Sequence, residues 1–497
     1  MELAGRNKQG TCVALAGVLL AGVLAGCTAG PNYKKPTATV PAKWQVEEPF
    51  REAAPKDAIP KSTWWDVFHD EELNALENEL LAANQTLKVS QAHYQQARAS
   101  AAVQNAALFP TVGVAPTAER QRYSANRATG SNRAIAATVT QNSYTLPFTV
   151  SYEVDLAGQR RRTIEAAQAS LQANAADFEN MRLILTAELA ADYFTLRQLD
   201  TQVALLVRTV DALEKGLGLV NSRHQGGVAS GLDVAQEETL LNTTRTQATL
   251  LRQQRKQFED AIAVLTGKVA PDFHLAAREL SAEPPRLDTS LPSDLLERRP
   301  DIAEAEREMA VTNAQIGIAK AAYYPSLQLY GQGGWNSDDI SKLFNAASAV
   351  WAVGANLAES IFTGGARRAQ VQFSQAGYDA AVASYRGAVL TAFQEVQDNI
   401  TGLEVLATAR QSQAQAVDAA RRQLDIANSR YVGGLVSYLD VVSAQQTVLS
   451  NEQEAAVIQG QRLVTSVLLV KALGGGWDAA SLAAVQEKAH LKDVIAP

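Results

Sequence analysis

Two long stretches of this chain contain no proline, and they are copies of one another. Residues 148–270 and 326–496 are proline-free. Both are rich in Ala, Gln, Leu, Glu and Arg, which favour helix. Residue n of the first matches residue n + 207 of the second: Gly158 with Gly365, Arg160 with Arg367, Arg161 with Arg368, Glu188 with Glu395, Leu196 with Leu403 and Gly267 with Gly474. The run Arg223-His-Gln-Gly-Gly-Val-Ala-Ser-Gly-Leu-Asp233 returns as Arg430-Tyr-Val-Gly-Gly-Leu-Val-Ser-Tyr-Leu-Asp440. A register held this long means duplication. Each unit reads as a helix, a pair of strands, a long helix, a Gly-Gly turn and a returning helix. Gly226-Gly227 and Gly433-Gly434 are expected to supply positive φ at the two helix reversals.

Gly158 to His224 reads as one helix, which at ~1.5 Å per residue would span ~100 Å. A helix of that length is a coiled-coil element, a helical repeat or a spacer across a compartment. Leu196, Leu199, Val203, Leu206, Val210 and Leu213 recur at three- and four-residue steps and form a narrow apolar seam.

Upstream of each long helix the period changes to two. Tyr144, Leu146, Phe148, Val150, Tyr152 and Val154 alternate with polar residues, as do Trp351, Val353, Ala355, Leu357 and Ile361 in the second unit. Partner strands begin after Phe109-Pro110 and Tyr324-Pro325, and Pro147 predicts a local irregularity. Such strands fit a membrane β-barrel or a soluble sheet with one face on a core. The barrel is the stronger reading, because nothing else in the mature chain would span a membrane. Four strands are too few to close a barrel, since the smallest have ~8, so several copies must contribute.

The N-terminus carries Arg6 and Lys8 before an uncharged stretch from Thr11 to Gly26. That is the pattern of a secretory signal peptide rather than a membrane span. It ends in Leu24-Ala25-Gly26-Cys27, which looks like a lipobox, with an ordinary signal and an incidental cysteine as the plainer alternative. Cys27 is thus the expected site of acylation, and membrane lipid the expected partner. Thr28 in the next position resembles the default that passes to the outer membrane of a Gram-negative bacterium. Six prolines between Pro31 and Pro60 mark an extended linker or a plain leader.

Composition narrows the function. A net charge of −7 argues against nucleic acid as a partner. Five His, three Met and two Cys are too few and too scattered for a metal site. The common nucleotide and catalytic fingerprints are absent, so neither an enzyme nor a cofactor is expected beyond the lipid on Cys27.

Gly30-Pro-Asn-Tyr-Lys-Lys-Pro36, Trp64-Trp65-Asp66-Val-Phe68, Leu291-Pro-Ser-Asp-Leu-Leu-Glu-Arg-Arg-Pro-Asp301, Ile316-Gly-Ile-Ala-Lys320 and Tyr324-Pro-Ser-Leu327 together resemble the outer-membrane efflux lipoproteins, the outer-membrane factors of tripartite resistance-nodulation-division pumps. The resemblance covers essentially the whole mature chain. It implies a mainly α fold with a small membrane β part, in which coiled-coil hairpins form a periplasmic tunnel below an oligomeric barrel of four strands per chain. It also implies a homotrimer and a passive conduit for compounds delivered by an inner-membrane pump through a periplasmic adaptor. Type I protein secretion and a lipid-anchored spacer without a pore are the competing functions.

The resemblance extends to a gate at the tunnel's periplasmic end. Asp440 matches an acidic ring position and Leu439 an apolar constriction. Ser443 stands where many relatives carry a second Asp, and Val436 where some carry an Arg. Ser437-x-x-Asp440 and Ser230-x-x-Asp233 equally fit helix capping. The Arg160–Arg162 run and Arg367-Arg368 fit lipid headgroups, a membrane-proximal helix collar or a solvated helix face. Glu297, Arg298, Arg299 and Asp301 fit ion pairs at a helix start.

The expected boundaries are a signal peptide over 1–26, a linker over 27–61, a first helix over 62–108, strands over 109–157, a helical hairpin over 158–270 and a linker over 271–300. The second unit follows with a helix over 301–323, strands over 324–362, a hairpin over 363–474 and a tail over 475–497.

Overall fold

The computed structural model describes residues 28–36, 63–124, 138–285 and 298–476. Cys27, the signal peptide, most of the linker, Leu291–Glu297 and the tail beyond 476 lie outside them.

A short 3-10 turn, Trp64–Phe68, leads into α1 (Glu71–Ala83) and α2 (Gln85–Ala106). The single helix expected over 62–108 is therefore two. Asn84 divides them: its backbone leaves helical geometry at ψ 127°, and its side chain accepts from the Leu87 N–H to restart the helix. No proline or glycine announces this break.

Strands β1 (Thr111–Val114), β2 (Thr117–Tyr123) and β3 (Val139–Val154) follow, then α3 (Gln159–Gln225) and α4 (Gly231–Leu265). The second unit is α5 (Pro300–Ala321), β4 (Ser326–Ser337), β5 (Ala349–Ala358), α6 (Ala366–Val432) and α7 (Tyr438–Ala472). α3 and α6 are both 67 residues, α4 and α7 both 35, and each pair is related by the same 207-residue offset.

β1 and β2 both lie antiparallel to β3 in one continuous register, with Val114 opposite Phe148 and Thr117 opposite Thr145. They are one strand broken at Ala115-Pro116. Pro147 stands on β3 across from this break, so the missing ladder donors coincide. On its other side Pro147 faces Gly334, where any Cβ would collide with the Leu146 carbonyl oxygen. The described residues thus form four strands, in the order β1/β2–β3–β4–β5. Ile361 lies beyond the end of β5.

At the hairpin turns only the second glycine of each pair has positive φ, Gly227 at 72° and Gly434 at 69°. Gly226 and Gly433 stay at −79° and −74°. The left-handed residue lets Val228 N–H reach the Arg223 carbonyl and Leu435 N–H the Arg430 carbonyl, both at 2.9 Å, which ends the helices.

The largest core packs Trp64, Trp65 and Phe68 against Tyr193, Phe194 and Leu196 of α3 and Leu463 and Val467 of α7. Over it run residues 273–282, extended and tied down side chain to backbone. Arg255 and Arg197 donate to the Leu275 and Ala276 carbonyls, Thr201 accepts from Leu280 N–H, and Gln459 donates to the Ala282 carbonyl.

Candidate functional site

The strand register turns the alternation of single strands into two chemically distinct sheet faces. On one face Val112 and Val114 stand beside Val150 and Phe148. Leu146, Phe148, Val150, Tyr152 and Val154 stand beside Trp335, Gly333, Gly331, Leu329 and Leu327. These in turn meet Ala349, Trp351, Val353, Ala355 and Leu357. From Leu146 to Val154 no polar group interrupts this face except the Tyr152 hydroxyl; beyond Leu146 it turns polar, with Asn142 beside Arg120 and Tyr144 beside Ser337. The opposite face carries Thr145, Thr149, Ser151, Glu153, Gln328, Gln332, Asn336 and Asn356. The apolar face is uncovered: Trp351 is 79% and Val353 74% exposed. Strands of 10 to 16 residues with one apolar and one polar face have the length and pattern of membrane strands, lipid outside and water inside. Among the described residues no helix is long and apolar enough to cross a membrane. Among the described residues the β1/β2 and β5 edges have no partner strand.

At the far end of the helices the two tips share a backbone and differ in packing. Ser230 N–H donates to the Asp233 carboxylate at 3.0 Å, and Asp233 N–H to the Ser230 hydroxyl at 3.2 Å, a reciprocal capping box. In the second tip Asp440 accepts from Ser437 N–H at 3.1 Å and from its hydroxyl at 2.8 Å. Leu439, Asp440 and Ser443 all lie on the exposed side of α7, with Leu439 53% exposed. The other side of that turn holds Tyr438, Val441 and Val442, buried against Leu213, Val220, Leu240 and Leu241 of the first hairpin. Leu232 is exposed and Asp233 half-buried in the first tip.

Sequence reasoning missed two residues here. Glu237 of α4 is fully buried beside Gly216 and the Tyr438 hydroxyl, and burial pushes its carboxyl above the usual range. The second is Arg162. Its neighbours Arg160 and Arg161 pair with Glu153 and Asp155 at the strand–helix junction. Arg162 instead turns inward and is buried, so neither the headgroup nor the solvated-face reading of the arginine run holds for it. Arg299 bonds Asp301 and Glu395, both at 2.7 Å, an ion-paired start for α5.

An amphipathic four-stranded sheet set on helices of ~100 Å defines a class: membrane channels whose helical part projects into an aqueous compartment. A family model described as outer membrane efflux protein matches residues 76–268 and 291–475, and the chain belongs to that family. It is 32% identical over 462 residues to the pyoverdine export outer membrane protein OpmQ of Pseudomonas aeruginosa, covering 92% of this chain and 95% of that one. It is 31% identical over 467 residues to the toluene efflux pump outer membrane protein TtgF of Pseudomonas putida, covering 93% and 96%. The outer-membrane channel OprN superposes with a TM-score of 0.84 at 28% identity, over 91% of this chain and 100% of that one. The Campylobacter jejuni CmeC outer membrane channel shares the fold, with a TM-score of 0.84 at 24% identity, over 93% and 98%. The protein is an outer-membrane efflux channel that reaches into the periplasm.

Proposed function

We propose that three copies assemble into one conduit, 3 × 4 = 12 strands around a shared pore, docked to a periplasmic adaptor and an inner-membrane pump. One observation carries this reading: the chain presents an amphipathic sheet with two unpaired edges, and lipid does not tolerate unpaired backbone. Helix α6 points the same way. It exposes Phe373, Leu390, Val405 and Ile426 along its length, a row suited to burial against another copy. The relatives' names speak of pyoverdine, toluene and antibiotics, so the cargo proposed here is small molecules, moved passively.

Two finer features belong to the same proposal. Cys27 carries the lipid, and Leu439, Asp440 and Ser443 of each copy line the periplasmic constriction, with Gly433-Gly434 as its turn. Native mass spectrometry of the detergent-solubilised protein tests the assembly. Wild type should appear as a trimer, and Leu390→Asp should shift it toward smaller species. A folded, membrane-embedded monomer in the wild type would reject the shared barrel. Cys27→Ser should lose acyl label and keep its signal peptide; unchanged labelling would place the lipid elsewhere.

A further inference from the structure

The first described residues, Thr28 to Pro36, lie in a groove between α3 and α5, and the groove is built for them. Ala29 N–H donates to the Ala157 carbonyl at 2.9 Å. The guanidinium of Arg162 donates to the Ala29 carbonyl at 3.1 Å, to the Gly30 carbonyl at 3.4 Å and to Asn32 Oδ1 at 2.8 Å. Its remaining nitrogen bonds Glu165 at 2.6 Å, and the side chain is only 4% exposed. Asn313 donates to the Pro31 carbonyl at 3.1 Å. The Tyr33 hydroxyl donates to the Glu306 carbonyl at 3.3 Å and to its carboxylate, and Arg307 lies over the Tyr33 ring.

Three glycines permit the close approach. Gly30 has φ of 90°, and a Cβ on it would come within 2.5 Å of Gly317 Cα. A Cβ on Gly317 would meet the Arg162 side chain at 2.9 Å, and one on Gly158 would meet Thr28 Cα at 2.8 Å. Strap, glycine and arginine are stacked in direct contact.

The duplication provides an internal control. Arg160 and Arg161 have copies at Arg367 and Arg368, but Arg162 pairs with Ala369. α2 and α5 are related by an offset of 215, which aligns Gly317 with Ala102, Asn313 with Arg98 and Glu306 with Gln91. Of each aligned pair, only one copy carries the residue that holds the strap.

We propose that Arg162 is the positioning residue of the N-terminal strap: it clamps residues 28–33 across the seam between the two repeats and so holds Thr28, the residue after Cys27, at the junction of β3 and α3. Thr28 sits against Gly158, between the last residue of β3 and the first of α3, and Cys27 is the next residue back. An acyl chain on Cys27, as proposed above, would be attached one residue before this point. The clamp itself acts through protein contacts and does not need the lipid. Only the statement about the lipid rests on the acylation reading above.

Hydrogen exchange read by mass spectrometry on the full-length channel in detergent tests the clamp, with acyl labelling run in parallel. In Arg162→Met, the amides of residues 29–33 should exchange about tenfold faster or more, as expected when a buried multidentate donor is lost. Arg162→Lys, which keeps the charge but not the planar fork, should fall between. Labelling should be unchanged in both. Asn313→Ala, a milder change in the same groove, should accelerate exchange at the strap without loss of assembly, and it serves if Arg162→Met fails to fold. A fused-signal variant with Cys27→Ser should keep the strap protected. Wild-type protection in Arg162→Met and Asn313→Ala would overturn the clamp, as would a strap loosened by loss of the lipid alone. Absence of acyl label in the wild type would reject the lipid and leave the clamp standing.

Discussion

Helices α3 and α6 are copies of one sequence unit with the same length and the same flanking turns, yet they occupy different environments. α3 buries 25 of its residues and α6 nine. α3 runs through the middle of the chain, packed by α2, α4, α5 and α7, while α6 has neighbours on one side only. Leu183 of α3 is 9% exposed, whereas its copy Leu390 is 66% exposed. Local sequence therefore sets the helix, its start and its stop, and the neighbours set what each face does. In the assembly proposed above, another copy of the chain would replace the cover that this duplicated helix lacks.

The sharpest way to break the symmetry is at the buried charges, which only α3 carries. Arg197 is 1% exposed and bonds Asp200 at 2.7 Å, Glu72 at 2.6 Å and the Ala276 carbonyl at 2.7 Å. Asp200, equally buried, also accepts from Arg255 at 2.7 Å and from Arg278 N–H at 3.1 Å. Arg197→Ala strips a buried network of its centre and should cost about 3–5 kcal/mol. The copy of Arg197 in α6 is Glu404, half-buried, and Glu404→Ala should cost less than about 1 kcal/mol. Thermal unfolding of the two variants in detergent checks this. Equal losses would mean that α6 is as enclosed as α3.

A second, smaller contrast is in pH dependence. Asp192 of α3 has its carboxyl pushed up to about 6, first by burial and then by the charge of Glu188. Its copy in α6 is Asn399, while Glu188 keeps its counterpart in Glu395. An acid with a raised pKa holds its proton more tightly in the folded chain than in the unfolded one. Its contribution to stability is complete below the ordinary Asp range and is lost as pH rises toward 6. Asp192→Asn, which writes the α6 residue into α3, should therefore raise Tm near neutral pH and change it little near pH 4. A Tm difference that is the same at both pH values would show that the carboxylate is solvated.

What was legible in the sequence was local. The proline-free runs, the Gly-Gly turns and the period-two segments each depend on a few neighbouring residues, and the helices and strands lie where those residues put them. What was not legible depends on distant contacts. Asn84 breaks a helix with no proline or glycine, because its amide both caps α2 and donates to the Leu265 carbonyl at 2.8 Å. Arg162 looked like the third member of a basic run. The one signal that set it apart was its alignment with Ala369, where the arginines on either side of that column are repeated. The asymmetry of the repeats becomes informative only after the duplication is recognised, since each departure marks a place where the two environments differ.

The finest contrast is between the two tips, and it decides what Asp440 does. Asp233 and Asp440 make similar capping contacts with Ser230 and Ser437, so capping alone predicts equal effects. Asp233→Ala and Asp440→Ala should then each cost about 1 kcal/mol per chain and leave conductance unchanged. The surroundings are not equal. Gly231 begins α4, whereas Tyr438 begins α7 and packs 5.0 Å from Tyr431, with burial and the neighbouring Glu237 holding its hydroxyl proton far above the usual range. That buried tyrosine ties one side of the α7 tip to the first hairpin and turns Leu439, Asp440 and Ser443 to the other side. In the trimeric constriction proposed above those exposed residues would approach their own copies, where three carboxylates near one axis would repel each other and attract cations. Asp440→Ala should therefore change resting conductance and lower cation selectivity in planar bilayers, while Asp233→Ala should not. Tyr438→Ala, which unties the tip without touching a carboxylate, should alter conductance and leave the sign of selectivity alone. Equal and negligible effects for the two aspartates would leave capping as the whole of their role and move the constriction away from α7.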